Sequence, residues 1–427
     1  MEKMVADPEI KKVIIVSDCV YTQKADSRKG GVGTETQIIS KEIYDKVEQD
    51  KFVVVIAEKD EYGKPYLPTY YKSRIYIDLS EPDNYAENFE RLLRWIYDKP
   101  LYKKPEIGKM PSFLSEGKQI LLGTTVSFRR AINVIKDGKP YSAGALKEYF
   151  EIFVQNLEKF RIKNYKGEFD EAIMKNIEAF LPYRNEVIQI FSAIARYSPK
   201  EEHIESLNRF FESLIPYMFR PESVTSWREW DSDNFRFIIH ELFLYAIAIL
   251  VKLERFQQAS MLLSQSYYVP GNSDYGRDVM VSYSVFRQCM ESLEYRNKRL
   301  KLRRLSLRAD LLKERCQTTG IDFRYLMQAD FVLFIRTELY AEDLFDSWWP
   351  EILLYLGHFP GPFEIFARAE SKRYFEKMKC LFDIQSPDDF KQLLEEYQQG
   401  KRELPRWERH SFNPALLLNI KKLVTRP

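Results

Sequence analysis

Residues 13–57 read VIIVSDCVYTQKADSRKGGVGTETQIISKEIYDKVEQDKFVVVIA, and this stretch decides the fold of the N-terminal region. Its two ends, VIIV at 13–16 and FVVVIA at 52–57, are short continuous apolar runs rich in β-branched residues. Such runs suit strands buried on both faces, as in a parallel sheet covered by helices. Between them Ile38, Ile39, Ile43, Tyr44 and Val47 fall at helical spacing, so a helix is expected over 34–47. Downstream, RIYIDL at 74–79 alternates as a third strand. NYAENFERLLRWIYDK at 84–99 then puts Phe89, Leu92, Leu93 and Ile96 on one helical face. The order strand, helix, strand, strand, helix predicts an α/β unit over residues 1–98. Only three strands are in view, and nothing but a helix-like stub precedes Val13. An exposed edge on the first strand is therefore expected unless another element covers it.

Working outward, the Pro-rich KPLYKKPEIGKMP at 99–111 opens a linker and connecting segment, taken as 99–144. Residues 145–427 are dominated by helical periodicity, as in ALKEYFEIFVQNLEKF and NFRFIIHELFLYAIAILVKL, with no fixed repeat period. A mostly α-helical domain is expected there. The most apolar segment, LFLYAIAILV at 242–251, has ten residues against the roughly 20 that a spanning helix needs. No membrane association is expected, and the charged N-terminus lacks the apolar core of a secretory signal, so a cytoplasmic location is the expectation. The 427 residues carry 65 basic and 63 acidic side chains, a formal charge of +2, which advertises no polyanionic partner. Four scattered cysteines and four scattered histidines offer neither a disulfide framework nor a zinc site, so no metal is expected.

The connection SDCVYTQKADSRKGGVGTE, residues 17–35, is the most unusual local sequence. It leaves the carboxyl end of a strand, where ligands bind in open α/β sheets. Gly30, Gly31 and Gly33 permit close backbone approach, Lys24, Arg28 and Lys29 offer cations for phosphates, and Glu35 opens the next helix. The glycines form neither a Walker loop nor a GxGxxG fingerprint. Cys19 reads best as a small buried residue at a strand end.

Residues 10–98, and above all the Tyr-Lys-Ala-Asp-Arg-Gly-Val-Gly-Thr-Glu pattern between Tyr21 and Glu35, resemble the second half of bacterial Toll/interleukin-receptor-like domains of the SEFIR branch. The resemblance implies a partial flavodoxin-like parallel sheet whose first strand–helix units would lie before Met1. Enzymatic members of that family break the nicotinamide–ribose bond of NAD with a glutamate matched here by Glu35. NAD would be the substrate and no further cofactor is implied. Ser17, Asp18, Tyr21, Lys24, Arg28, Gly31 and Gly33 would line its site. A carboxylate suits the chemistry, because cleaving an N-glycosidic bond develops oxocarbenium character on the ribose. The helical domain would then sense a trigger or form a homo-oligomer in antiphage defence. The alternative is a non-enzymatic interaction module or scaffold that binds a protein partner.

A third reading rests on YRNKRLKLRRLSLRADLLKERC, 295–316, with nine Lys and Arg against Asp310 and Glu314. Leu300, Leu307 and Leu311 suggest one basic amphipathic helix that contacts nucleic acid or, more simply, presents a solvated face. His240 is expected to be a satisfied core histidine. Trp348 and Trp349, with HFPGPFEIF at 358–366, are candidates for a recognition surface.

Overall fold

The computed structural model describes residues 9–28, 30–32, 51–72, 74–99, 120–163, 165–221, 224, 226–340, 347–357, 361–408 and 410–427. The chain divides into two compact units, residues 1–109 and 110–427.

In the first unit, β1 (Val13–Ser17), β2 (Phe52–Ile56) and β3 (Ile77–Asp78) form a parallel sheet in the order β1-β2-β3. The helix α1 (Cys19–Ser27) follows β1, and α2 (Pro82–Ile96) follows β3. All five residues of β2 are buried, as its unbroken apolar run demands of a central strand. Phe52, Val54 and Ile56 pack with Ile15, Ala25 of α1, Tyr70 and Tyr71 on one face of the sheet. On the other face, Val53 and Val55 pack with Ile77 and Leu92 of α2. In β1, by contrast, Ile14 and Val16 are 42% and 59% exposed. Among the described residues no strand pairs with the outer edge of β1.

Two local expectations are corrected. The third strand is only two residues long, because the chain turns through a 3₁₀ segment at Thr69–Tyr71 and joins the sheet at Ile77, opposite Val55. The start of the 17–35 connection is the helix α1 and not an open loop. Asp18 caps it by accepting the Tyr21 N–H at 2.7 Å, and no Gly or Pro interrupts CVYTQKADS. The helix expected over 34–47 lies outside the described residues.

The second unit is mostly α-helical. Within 99–144, read as a linker, Thr125–Lys136 is a helix packed against Ser142–Leu157. The central element is Asp233–Lys252, which contacts the helices Phe169–Ala179, Leu181–Tyr197, Glu201–Met218, Phe256–Ser264 and Phe323–Tyr340. The apolar stretch around it, Glu229–Lys252, is longer than the ten residues weighed above and is long and apolar enough to cross a membrane by composition. Its whole apolar window is buried inside this unit, as a helix hydrophobic on all sides requires. Phe243 illustrates the packing, with ring centroids 4.5 Å from Phe286 and 5.0 Å from Phe211.

The basic segment 295–316 is also corrected. It is two helices, Glu291–Arg299 and Leu307–Cys316, separated where Lys301 and Arg303 adopt left-handed backbone angles and Ser306 caps the second helix. Only part of it is a solvated face: residues 300–305 are exposed, but other arginines are drawn into the fold. Arg296 and Arg299 hold both Asp170 and Glu171 at 2.7–3.0 Å. Arg304 holds Asp310 at 2.6 Å, and Arg308 and Arg315 are buried. Trp348 is fully buried and donates its indole N–H to Asp330 at 2.7 Å, so it belongs to the core rather than to a recognition surface. Phe363 and Phe366 of HFPGPFEIF are likewise core residues.

Candidate functional site

In β1-β2-β3 the register aligns Ser17, Ile56 and Asp78 in one row at the carboxyl end of the sheet. The residues that follow these three strand ends therefore meet beyond one edge. Ser17 is fully buried, donates to the Tyr66 carbonyl at 2.7 Å and pairs with the Thr22 hydroxyl at 3.1 Å. The Asp18 carboxylate is the cap of α1. Glu58, just beyond β2, accepts the Cys19 N–H at 3.1 Å, so two carboxylates stand at the start of α1, where the helix dipole favours negative charge. Cys19 itself is half-buried on the first turn, not enclosed at a strand end. Its side chain hydrogen-bonds Tyr66, which lifts the Tyr66 hydroxyl above its ordinary range, with burial adding to the shift.

Next along the edge, Lys59 bridges Asp78 at 2.8 Å and Glu81 at 2.5 Å. Hydrogen bonds to these two carboxylates raise the Lys59 ammonium well above its usual range. Burial alone would push Asp78 up, but the hydrogen bonds from Lys59 and Ser80 outweigh it and hold the carboxyl low. Lys59 thus stands as a cation between two carboxylates at this edge. Sequence reasoning missed Glu58, Lys59, Asp78 and Glu81. The available signal was their position at or just after the carboxyl ends of the apolar runs that become β2 and β3.

The proposed binding residues separate into two groups. Ser17 and Asp18 stand at the strand end, with their polar atoms engaged within the fold. Tyr21 lies one turn into α1, its hydroxyl 3.2 Å from that of Tyr70. Burial, reinforced by this hydrogen bond, pushes the Tyr70 hydroxyl far up. Lys24 and Arg28 belong to the far end of α1, a helix of nine residues and hence about 13 Å. Both are exposed there, as is Gly31 beyond them. Arg28 takes a left-handed conformation, φ 52°, and its N–H closes the helix on the Ala25 and Lys24 carbonyls. Gly33, Lys29 and Glu35 lie outside the described residues. Among the described residues no cluster of three or more His, Cys, Asp or Glu could hold a metal ion.

In the helical unit, the charged residues of the central helix are not a surface site. Glu241 is fully buried between Arg184 at 3.1 Å and Arg315 at 2.8 and 2.9 Å. Burial pushes the Glu241 carboxyl up, but Arg315 and Arg184 more than reverse it, so the group is held ionised. His240 departs from its expected role. It is fully buried beside Trp348, ring centroids 5.4 Å apart, and neither ring nitrogen has a hydrogen-bond partner among the described residues. Burial, then the like charges of Arg308 and Arg287, keeps the imidazole neutral.

No family model, curated protein or solved structure matches this chain.

Proposed function

We propose that the N-terminal unit is a partial flavodoxin-like module of the Toll/interleukin-receptor-like, SEFIR-branch type, and that the protein is an effector that cleaves NAD at the nicotinamide–ribose bond. The observation that carries the reading is the parallel pairing of Val13–Ser17 with Phe52–Ile56. With that pairing, the segment bearing the family-like pattern leaves the carboxyl end of a sheet strand, where such sheets bind ligands. Glu35 is the carboxylate assigned to stabilise the oxocarbenium-like ribose, while nicotinamide leaves as a neutral group that needs little general-acid help. Lys24 and Arg28 supply cations on the far turn of α1 for the pyrophosphate. The helical unit governs assembly, which activates cleavage in the cytoplasm. Nicotinamide release from NAD by the purified protein tests this directly. Glu35→Ala is expected to lower the rate by roughly 100-fold or more, in line with removal of a dominant electrostatic stabiliser, while circular dichroism stays unchanged. A folded variant that retains full activity removes the role of Glu35.

A specific observation favours a second reading, a non-enzymatic interaction module. The exposed Ile14 and Val16 on the edge strand β1 offer a surface for strand pairing with another chain. Val16→Lys is expected to change stability by no more than about 0.5 kcal/mol, as for most surface substitutions, and to reduce self-association in sedimentation velocity. Unaltered association would exclude this edge as the contact.

A further inference from the structure

The helical unit holds a cleft of about 1110 Å³ whose lining includes Phe169, Trp230, Arg287, Arg308, Trp349 and Trp407. That volume admits a ligand of nucleotide size. The aromatic part of the wall is ordered by ring contacts. Trp230 stacks on Phe169 at 4.7 Å, and Trp349, 39% exposed, meets Trp407 edge-on at 5.8 Å.

The polar part of the wall is short of acceptors. Arg308 is only 4% exposed, and its Nη2 donates to the Gln288 carbonyl at 2.5 Å. Its Nη1 is buried and has no hydrogen-bond partner among the described residues, and the same holds for the indole nitrogens of Trp230 and Trp407. Buried donors are almost always satisfied, and three of the orphaned N–H donors belong to side chains that line this one cleft. The carboxylates that act electrostatically on Arg308 are Glu351 and Asp233, and both are already engaged. Glu351 is held by Arg287 and Ser306, while Asp233 accepts the Ser292 N–H at 2.8 Å and pairs with Arg236 at 3.3 Å. Glu291, Glu294 and Glu408 also line the cleft but are exposed, where solvent screens them. Burial, followed by repulsion from Arg287, brings Arg308 down to about 9, which leaves it cationic at neutral pH. The first turn of the helix Leu307–Cys316 lines the same cleft. Its Ser306 cap satisfies only the Ala309 N–H, at 3.1 Å, and the preceding N–H groups have no intrahelical acceptor.

We propose that this cleft binds a nucleoside phosphate, with the phosphate on Arg308 and the first turn of the Leu307–Cys316 helix and the base on the tryptophan wall. The proposal does not depend on the reading of the N-terminal unit. The full chain, titrated with adenosine 5′-monophosphate, inorganic phosphate and adenosine by calorimetry and tryptophan fluorescence, tests it. The nucleotide is expected to bind saturably, phosphate to compete with it, and adenosine to bind at least about tenfold more weakly. Arg308→Gln is expected to weaken nucleotide binding about tenfold or more. Trp349→Ala, at an exposed position, is expected to weaken it about tenfold while leaving phosphate affinity unchanged. Should Arg308→Gln fail to fold, Trp349→Ala and the phosphate competition still decide. Absence of saturable binding by both nucleotide and phosphate at millimolar concentration overturns the site. So does nucleotide affinity that is unchanged in Trp349→Ala.

Discussion

Replacing Glu241 with leucine is expected to destabilise the helical unit by about 3–5 kcal/mol, the usual consequence of stranding buried charges. The side chain is fully buried on the central helix and receives a bidentate contact from Arg315 and a further one from Arg184. Without it, two buried guanidiniums face each other. Arg184 would keep the Arg315 carbonyl at 2.9 Å and the Thr318 hydroxyl at 2.9 Å, and Arg315 would keep the Ile177 carbonyl at 3.2 Å, but no counter-charge. Urea titration followed by tryptophan fluorescence should show a lower midpoint with an unchanged slope. Adding Arg184→Met and Arg315→Met to Glu241→Leu is expected to recover most of the loss, because a fully apolar replacement leaves no charge behind. A single variant within 1 kcal/mol of the parent would show that the arginines reach other acceptors or water.

The second large effect is a pH dependence at Asp330. Its carboxylate accepts the Trp348 indole N–H at 2.7 Å and the Ile352 N–H at 2.9 Å, bonds that favour ionisation. Complete burial nevertheless dominates and pushes the group up to about 7 from the ordinary 3.8. Below pH 4 both the folded and unfolded chains carry this proton, and the group contributes nothing. Between about pH 4 and 7 the unfolded chain has released it and the folded chain has not, so stability falls as pH rises, by up to about 4 kcal/mol across the window. Glu241 acts in the opposite sense, since its lowered value makes its contribution present at neutral pH and lost on acidification. Asp330→Asn removes only the first effect. Its stability relative to the parent should therefore rise with pH from about 4 to 7, whatever the fixed cost of one altered hydrogen bond. Parallel stability curves for the two proteins would mean that Asp330 ionises normally in the folded state.

Much of the N-terminal unit was legible because a sheet strand writes itself into consecutive residues. FVVVI became a strand buried at every position, and the helix after Pro82 follows the spacing of Leu92 and Ile96. The length of the third strand was not legible, since it depends on where the turn at Thr69–Tyr71 delivers the chain to the sheet. The capping of α1 by Asp18 could have been read from the aspartate before an unbroken run, but the glycines and cations further on drew the segment towards a loop. The strand-end triad of Lys59, Asp78 and Glu81 depends on register, which brings residues about 20 apart in sequence to one edge.

The sequence by itself determined the class of each region: a short parallel α/β sheet first, then a long helical region containing one markedly apolar segment. Those are properties of local periodicity, which burial in either solvent or core makes unavoidable. Only the tertiary structure decided the fate of the charges. The basic stretch looked like one solvated helix because no local pattern records that Arg315 meets Glu241 across 74 residues, or that Arg299 meets Asp170 across 129. An ion pair needs its partner within a few ångströms in space, and that distance is set by how helices pack, not by how residues follow one another.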